Sequence, residues 1–256
     1  MIALQDKEAF ARGGNRLCFV HPEFADRCIK VRRPDRSLEW RRAKKSFPKN
    51  LRPLSAFDDN LEELQVMERL QSHYPDALFK HVSRCYGMLD TDMGPGLCSE
   101  LILDGNGEIS RSLKLELWHG GYQPDLQRAV AELMAHWRDY AVPSKDLLIH
   151  NIVVQRDQQG AIQRLVVIDG MGASGLAGKA WAPLWLRRYF AGRKANNLPE
   201  RIDEFLAQIQ DGNYPGLQGV PLKDGEPNIP PPKQDTPGVT KSGARVSPVD
   251  QDKTEP

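Results

Sequence analysis

A chain of 256 residues is long enough for one large domain or for two small lobes with cores of their own. With 40% hydrophobic residues, and 35 basic side chains set against 34 acidic ones, it reads as a globular chain of near-zero net charge. That balance excludes a global attraction to nucleic acid or to a membrane surface, so any such role falls to a local patch.

Cys18, Cys28, Cys85 and Cys98 lack C-x-x-C spacing and an accompanying His pair, which argues against a zinc site and for reduced core thiols. The opening MIALQDKEAFARGG has no apolar stretch of signal-peptide length, and no run of about eighteen apolar residues occurs anywhere. A cytoplasmic chain without a transmembrane segment is expected.

In chain order, residues 17–20 and 26–31 read as a β-hairpin behind the loop Arg12-Gly13-Gly14-Asn15-Arg16. Gly13 and Gly14 can let backbone N–H groups approach a phosphate, although adjacent glycines in a hairpin are more often only a turn. Lys30, in Cys28-Ile29-Lys30-Val31, stands like the lysine of a V-A-I-K strand, which contacts nucleotide phosphates and pairs with a helix glutamate. In isolation a solvated strand lysine is the commoner meaning. Residues 32–52 form a basic insertion, with Arg32, Arg33, Arg36, Arg41, Arg42, Lys44, Lys45, Lys49 and Arg52 against only Asp35 and Glu39. It is either a solvated charged face or a patch for an anionic partner, such as a phosphorylated surface or a lipid headgroup.

Residues 58–73 have an acidic first turn and Leu61, Leu64, Met67 and Leu70 at three-residue spacing, which predicts a helix carrying Glu62 and Glu63. Residues 82–90 and 96–102 read as two further strands joined by the turn-rich segment 91–95. Residues 124–141 place Leu126, Val130, Leu133, Met134, Trp137 and Ala141 on one helical stripe, the pattern of a core helix.

The stretch 145–172 carries the chemistry. Asp146 and Asn151 lie five positions apart, Asn151 opens the run Ile152-Val153-Val154, and a second run over 165–168 ends in Asp169-Gly170. A loop, a strand, a turn and a strand ending in a carboxylate suit phosphoryl transfer. There an Asp orients or deprotonates an acceptor hydroxyl, while an Asn and a further Asp hold magnesium through hard oxygen ligands. The spacing is that of D-x-x-x-x-N, and Asp169-Gly170 stands where D-F-G would. Pro143-Ser144-Lys145 replaces the H-R before the Asp, Leu148 replaces a Lys, and Met171 intervenes before Gly172. Short patterns also arise by chance, and Asp at a strand end is an ordinary turn residue. His150 reads as a packing residue of the loop rather than a base.

After Gly172 come a small-residue stretch over 173–178, the aromatic AWAPLWLRRYF and a predicted helix, LPERIDEFLAQIQ. That is a short C-terminal lobe with no A-P-E closing an activation segment, which argues against a protein substrate. From Pro215 to Pro256 there is no aromatic residue, and prolines, glycines and charges dominate. Such a segment offers too little apolar surface to offset its ordering entropy, so a disordered tail is expected.

Taken together, G-G-N-R-L-C-F-V-H-P, C-I-K-V, E-L-Q-V-M-E-R-L, D-L-L-I-H-N-I-V-V and V-V-I-D resemble the YrbL family of PhoP regulatory network proteins. The likeness extends over residues 4–209, and R-x-C-[YF]-x-H-P with C-I-K is its most distinctive element. The resemblance implies an α+β, two-lobed protein-kinase-like fold with a reduced C-terminal lobe. The kinase-like domain is then residues 1–214, with an N-lobe over 1–102 and a C-lobe over 103–214, followed by a disordered tail over 215–256. Gly13 and Gly14 are implied to cover phosphates, Lys30 to contact them and Glu63 to pair with Lys30. Glu100 to Ile102 become an interlobe hinge whose backbone holds an adenine ring. Asn151 and Asp169 are implied to hold magnesium and Asp146 to position the acceptor.

ATP and magnesium are the expected cofactors, and an unidentified hydroxyl-bearing molecule is the expected substrate. The family does not keep the loop aspartate throughout, so the presence of Asp146 favours retained chemistry. Two rival readings remain. A nucleotide-binding pseudokinase or regulatory interaction module suits the missing H-R, Lys and A-P-E, and a small-molecule or lipopolysaccharide-sugar kinase suits the short C-lobe and the basic insertion.

Overall fold

The computed structural model of the protein describes residues 1–172 and 182–228. Strands β1 (Ala11–Arg12) and β2 (Arg16–Val20) form a hairpin, and β2 pairs antiparallel with β3 (Arg27–Arg32) with Cys18 opposite Lys30. Helix α1 (Leu38–Ala43), capped by Ser37, lies in the basic insertion, and α2 (Asp59–His73) follows. Asp58 caps α2 by accepting from the Asn60 N–H, which satisfies one of the donors that a helix start leaves open. Strands β4 (Cys85–Thr91) and β5 (Gly94–Glu100) complete a five-stranded antiparallel sheet in the order β1-β2-β3-β5-β4.

Alternation along β3 sorts this lobe. Ile29 and Val31 are fully buried with Leu4 and Phe19, while Lys30 points the other way, towards α2. Gly96 on β5 lets β3 pack: a Cβ there would stand 2.6 Å from the Ile29 side chain.

The second lobe begins with β6 (Arg111–Ser112), α3 (Leu113–Gly120) and α4 (Pro124–Asp139). Strands β7 (Ile152–Arg156) and β8 (Ile162–Val167) pair in a three-stranded sheet with β6, and α5 (Leu184–Gln208) follows. The expected stripe on α4 is in the core, with Leu126, Val130, Leu133 and Trp137 buried. Helix α3 has no such stripe to advertise it, because Leu113, Lys114, Leu115, Leu117 and Trp118 are buried on nearly every side. Helix α5 joins the aromatic segment and the predicted helix into one element that continues through Pro199. Proline ordinarily ends a helix by removing an N–H and crowding the preceding turn. Here Ala191, Ala195, Leu198, Ile202 and Phe205 keep one buried stripe on both sides of it.

Residues 81–83 run against β8 and tie the lobes together. The Ser83 N–H donates to the Val167 carbonyl at 3.0 Å, and the Val167 N–H donates to the His81 carbonyl at 2.9 Å.

The tail boundary expected at Pro215 is too early. Lys114 donates to the carbonyls of Pro215 and Gln218, Ser112 donates to that of Gly219, and Val220 is buried. The Leu222 N–H then donates to the Phe10 carbonyl at 2.8 Å, beside β1, before a short hairpin of β9 (Leu222–Lys223) and β10 (Glu226–Pro227). A chain without aromatics is therefore tied to both lobes as far as Leu222, through its own carbonyls on the second lobe and the Phe10 carbonyl on the first. Residues 229–256 of the expected tail, and 173–181 after Gly172, lie outside the described residues.

The basic insertion is partly neutralised, by its own Asp35 and by the start of α2. Arg33 and Arg36 pair with Asp35, Arg32 with Asp58 and Arg41 with Asp59, and Lys44 lies over the Trp40 ring. Among the described residues, no helix is long and apolar enough to cross a membrane.

Candidate active site

The sheet and α2 bring Lys30 and Glu63 together. The Lys30 ammonium donates to Glu63 Oε1 at 2.7 Å and to the Ile168 carbonyl at 2.9 Å, which sets it one residue from Asp169. Helical geometry separates Glu62 from Glu63, for Glu62 turns outward and pairs with Lys145 at 2.5 Å. Asn60, one turn before Glu63, is buried and donates to the Lys30 carbonyl at 2.8 Å, which fixes α2 to β3.

Arg16 belongs to the same cluster and was not singled out as a site residue. Its guanidinium donates to Glu63 Oε2, to Asn60 Oδ1 at 3.2 Å and to Asp169 Oδ2 at 2.7 Å. The signal was present in the register. Cys18 opposes Lys30, so Arg16, two residues away, shares the face that Lys30 presents to the cleft.

The electrostatics follow from this packing. Burial is the largest influence on Lys30 and works against its charge, as Arg16 does, but Glu63 and Asp169 together bring the pKa up to about 12. Arg16 is likewise held charged: Glu63 and Asp169 overcome the cost of burial and raise its pKa. Burial pushes the Asp169 carboxyl up, yet Arg16, Lys30 and the Gly170 N–H bring it below its ordinary value.

Asp146 and Asp169 are joined by backbone. The Lys145 N–H donates to the Gly170 carbonyl at 2.9 Å, and the Gly172 N–H donates to that of Pro143 at 2.8 Å. Gly170 takes a φ of +86°, where a side chain would be strained, and a Cβ there would stand 3.2 Å from the Asp146 carbonyl oxygen and 3.7 Å from Asn151 Nδ2. Asn151 thus lies against the Asp169-Gly170 turn, and its carbonyl accepts from the Ile168 N–H at 2.9 Å. Asp146 itself accepts from Lys194 Nζ at 3.1 Å and faces Arg201 at 3.5 Å, both on α5. His150 is half-buried, and its pKa is lowered first by that burial.

Asn151 and Asp169 fit magnesium chemically. An amide and a carboxylate offer the oxygen donors that a hard cation prefers, and the Asp169 side chain is 44% exposed towards the cleft. Among the described residues no three His, Cys, Asp or Glu side chains gather as a metal-holding group, so phosphate and water oxygens would have to complete the shell.

The glycine turn is built for rigidity. Gly13 donates its N–H to the Arg16 carbonyl at 2.8 Å, and the carbonyls of Gly13 and Gly14 both accept from Arg33 at 3.3 Å. Gly13 therefore cannot give its N–H to a phosphate while the turn holds, which corrects the expectation for that residue. Glu100 ends β5 at the passage between the lobes, its carboxylate tied to the Arg84 N–H and to Arg164. Ile102 is buried, and its carbonyl accepts from the Ser110 N–H at 2.9 Å.

A sheet lobe with a buried Lys–Glu pair stands over a helical lobe with a D-x-x-x-x-N loop and a strand-end Asp. These features define a kinase-like protein. The chain belongs to the YrbL family, since the profile described as "PhoP regulatory network protein YrbL" matches residues 2–203. Proteins named "Uncharacterized protein YrbL" from Escherichia coli (strain K12) and Shigella flexneri are each 26% identical to it over 191 residues, 72% of this chain and 80% of theirs. Among solved structures it is similar to a Rad53 fragment with AMP-PNP (TM-score 0.46, 14% identity, 81% of this chain and 52% of that one). It is also similar to the Mycobacterium tuberculosis PknI kinase domain (TM-score 0.40, 14% identity, 84% of this chain and 77% of that one). The chain spans about half the length of the Rad53 fragment.

Proposed function

We propose that this protein binds ATP with magnesium between its lobes and transfers the γ-phosphoryl group to a hydroxyl of an acceptor still to be identified. The observation that carries this reading is the contact of Lys30 with both Glu63 and the Ile168 carbonyl, which sets a fixed ammonium beside Asp169. Phosphoryl transfer needs positioning and charge stabilisation more than covalent help from the protein, and this cluster supplies fixed charge in a partly buried site.

In the proposed reaction Lys30 holds phosphate oxygens and Glu63 keeps Lys30 in place. Asn151 and Asp169 would hold magnesium, whose charge offsets that of the β- and γ-phosphates. Asp146 accepts the hydroxyl proton as the acceptor oxygen bonds to the γ-phosphorus and the bond to the β-phosphate oxygen breaks, leaving ADP.

The test is γ-phosphate turnover with and without Asp146→Asn. The variant should keep nucleotide binding and lose about 10²- to 10⁴-fold in rate, the contribution of a positioned acid or base. Equal rates would remove Asp146 from the mechanism. A second reading, a nucleotide-binding module without turnover, is favoured by the cations already on both carboxylates: Lys194 and Arg201 on Asp146, Arg16 on Asp169. No turnover in either protein, with ATP binding intact, would select it.

A further inference from the structure

Arg16 has no part in the roles described so far, yet it is among the most enclosed charges of the cleft. Its side chain is 12% exposed, and with Lys30, Glu63 and Asp169 it closes a group of two cations and two carboxylates. Such a group is neutral only while nothing enters. A triphosphate brought against Glu63 and Asp169 adds negative charge to negative charge, and relief must come from a nearby cation or from a metal.

Lys30 is held by the enclosed Glu63 carboxylate and, across the cleft, by the backbone carbonyl of Ile168. Arg16 is held differently, because the nitrogen it sends across ends on the Asp169 side chain, which is 44% exposed to the cleft. A guanidinium is a planar fork whose donors match phosphate oxygens, so the nitrogen now on Asp169 can turn to a phosphate while the other stays on Glu63. Asp169 would then be left without its cation at the moment a divalent metal arrives with the nucleotide.

We propose that Arg16 is a phosphate-binding residue of the nucleotide site and that Asp169 exchanges Arg16 for a divalent cation as nucleotide binds. The proposal rests on the nucleotide reading above and adds a coupling between the two ligands. Without nucleotide, Arg16 competes for Asp169 and metal binds weakly; with nucleotide, Arg16 is drawn away and metal binds well. Linkage makes the effect reciprocal, so metal strengthens nucleotide binding by the same factor.

The experiment uses the full chain, with Mn2+ as the metal probe, read by water-proton relaxation, and ATP binding read by calorimetry in chelator and in Mg2+. Arg16→Gln should bind Mn2+ alone about tenfold more tightly than the wild type, because the competitor for Asp169 is gone. The same variant should bind ATP in chelator about tenfold to a hundredfold more weakly, the scale of a lost charged hydrogen bond. Opposite signs are the signature, since a merely structural loss weakens both.

Arg16→Lys serves if the glutamine variant does not fold. It keeps a cation for Asp169 but loses the fork, so Mn2+ binding should stay near the wild-type value while ATP binding weakens. Mn2+ binding that is unchanged or weaker in Arg16→Gln overturns the exchange. ATP binding that is unchanged in both variants overturns the phosphate role. A wild-type protein that binds no ATP under either condition overturns the nucleotide reading itself, and the Mn2+ measurement then still judges the Arg16–Asp169 competition separately.

Discussion

On the Lys30 side of the cleft, Arg16, Lys30 and Glu63 are each at most 12% exposed and share hydrogen bonds through Asn60 and the Ile168 carbonyl. On the Asp146 side, Asp146, Lys194 and Arg201 are 33–40% exposed and meet at 3.1 and 3.5 Å with no further side-chain tie between them. The difference follows from the cost of charge. Buried ions must be held in one geometry, because removing a partner strands a desolvated charge, whereas exposed ions are covered by water when they part. The Lys30–Glu63 pair is thus held in one geometry. The contacts of Asp146 can part at little cost.

The contrast breaks most visibly at Glu63. Glu63→Ala leaves Lys30 and Arg16 buried without their shared carboxylate and should lower unfolding free energy by about 3–5 kcal/mol in urea titrations. A loss below about 1 kcal/mol would mean that the two sides do not differ in the way described.

A second test acts from behind the Lys30 side, where His81 braces the strand that leads to Asp169. Its ring is 2% exposed with Nδ1 2.7 Å from the Leu165 carbonyl, and it faces His136, Lys80 and Arg164. Burial, opposed by the Leu165 contact and aided by those three cationic or ionisable groups, lowers its pKa from 6.5 to about 4. The folded protein therefore keeps this ring neutral where the unfolded chain protonates it. The associated stability is complete above pH 6.5 and is lost as pH falls to about 4, to the extent of about 3 kcal/mol. Unfolding measured at pH 7 and near pH 4 should show that loss in the wild type and much less of it in His81→Gln. An equal loss in both would assign the acid sensitivity elsewhere.

The smallest effect belongs to the Asp146 side. Lys194→Ala should change stability by less than about 1 kcal/mol, as exposed ion pairs usually do. A larger loss would place Lys194 in a fixed network and narrow the contrast.

Much of the Lys30 side is legible in the sequence. β-Prone runs over 17–20 and 26–31 and the stripe on 58–73 fall on β2, β3 and α2, so Lys30 and Glu63 came out on facing elements. Arg16 was hidden because a basic residue beside two glycines looks like a turn until strand register gives it a side. The Asp146 side is less legible. Lys194 and Arg201 lie far along the chain from Asp146, and only the packing of α5 on the second lobe brings them there. The sequence predicts a helix only from Leu198, with Pro199 in its first turn, whereas the buried stripe carries α5 from Leu184 through Pro199. The segment after Pro215 misled for a related reason: composition registers missing aromatics but not the backbone carbonyls that Lys114 and Ser112 hold.

The central claim is that the fixed side of the cleft holds a magnesium nucleotide. Thermal unfolding of the wild type and of Lys30→Met, with and without ATP and magnesium, tests it most directly. At a hundredfold excess over Kd the wild type should gain about 2.7 kcal/mol of stability, seen as a rise in Tm, and Lys30→Met should gain much less. A wild-type Tm unmoved by saturating ATP and magnesium would contradict the account.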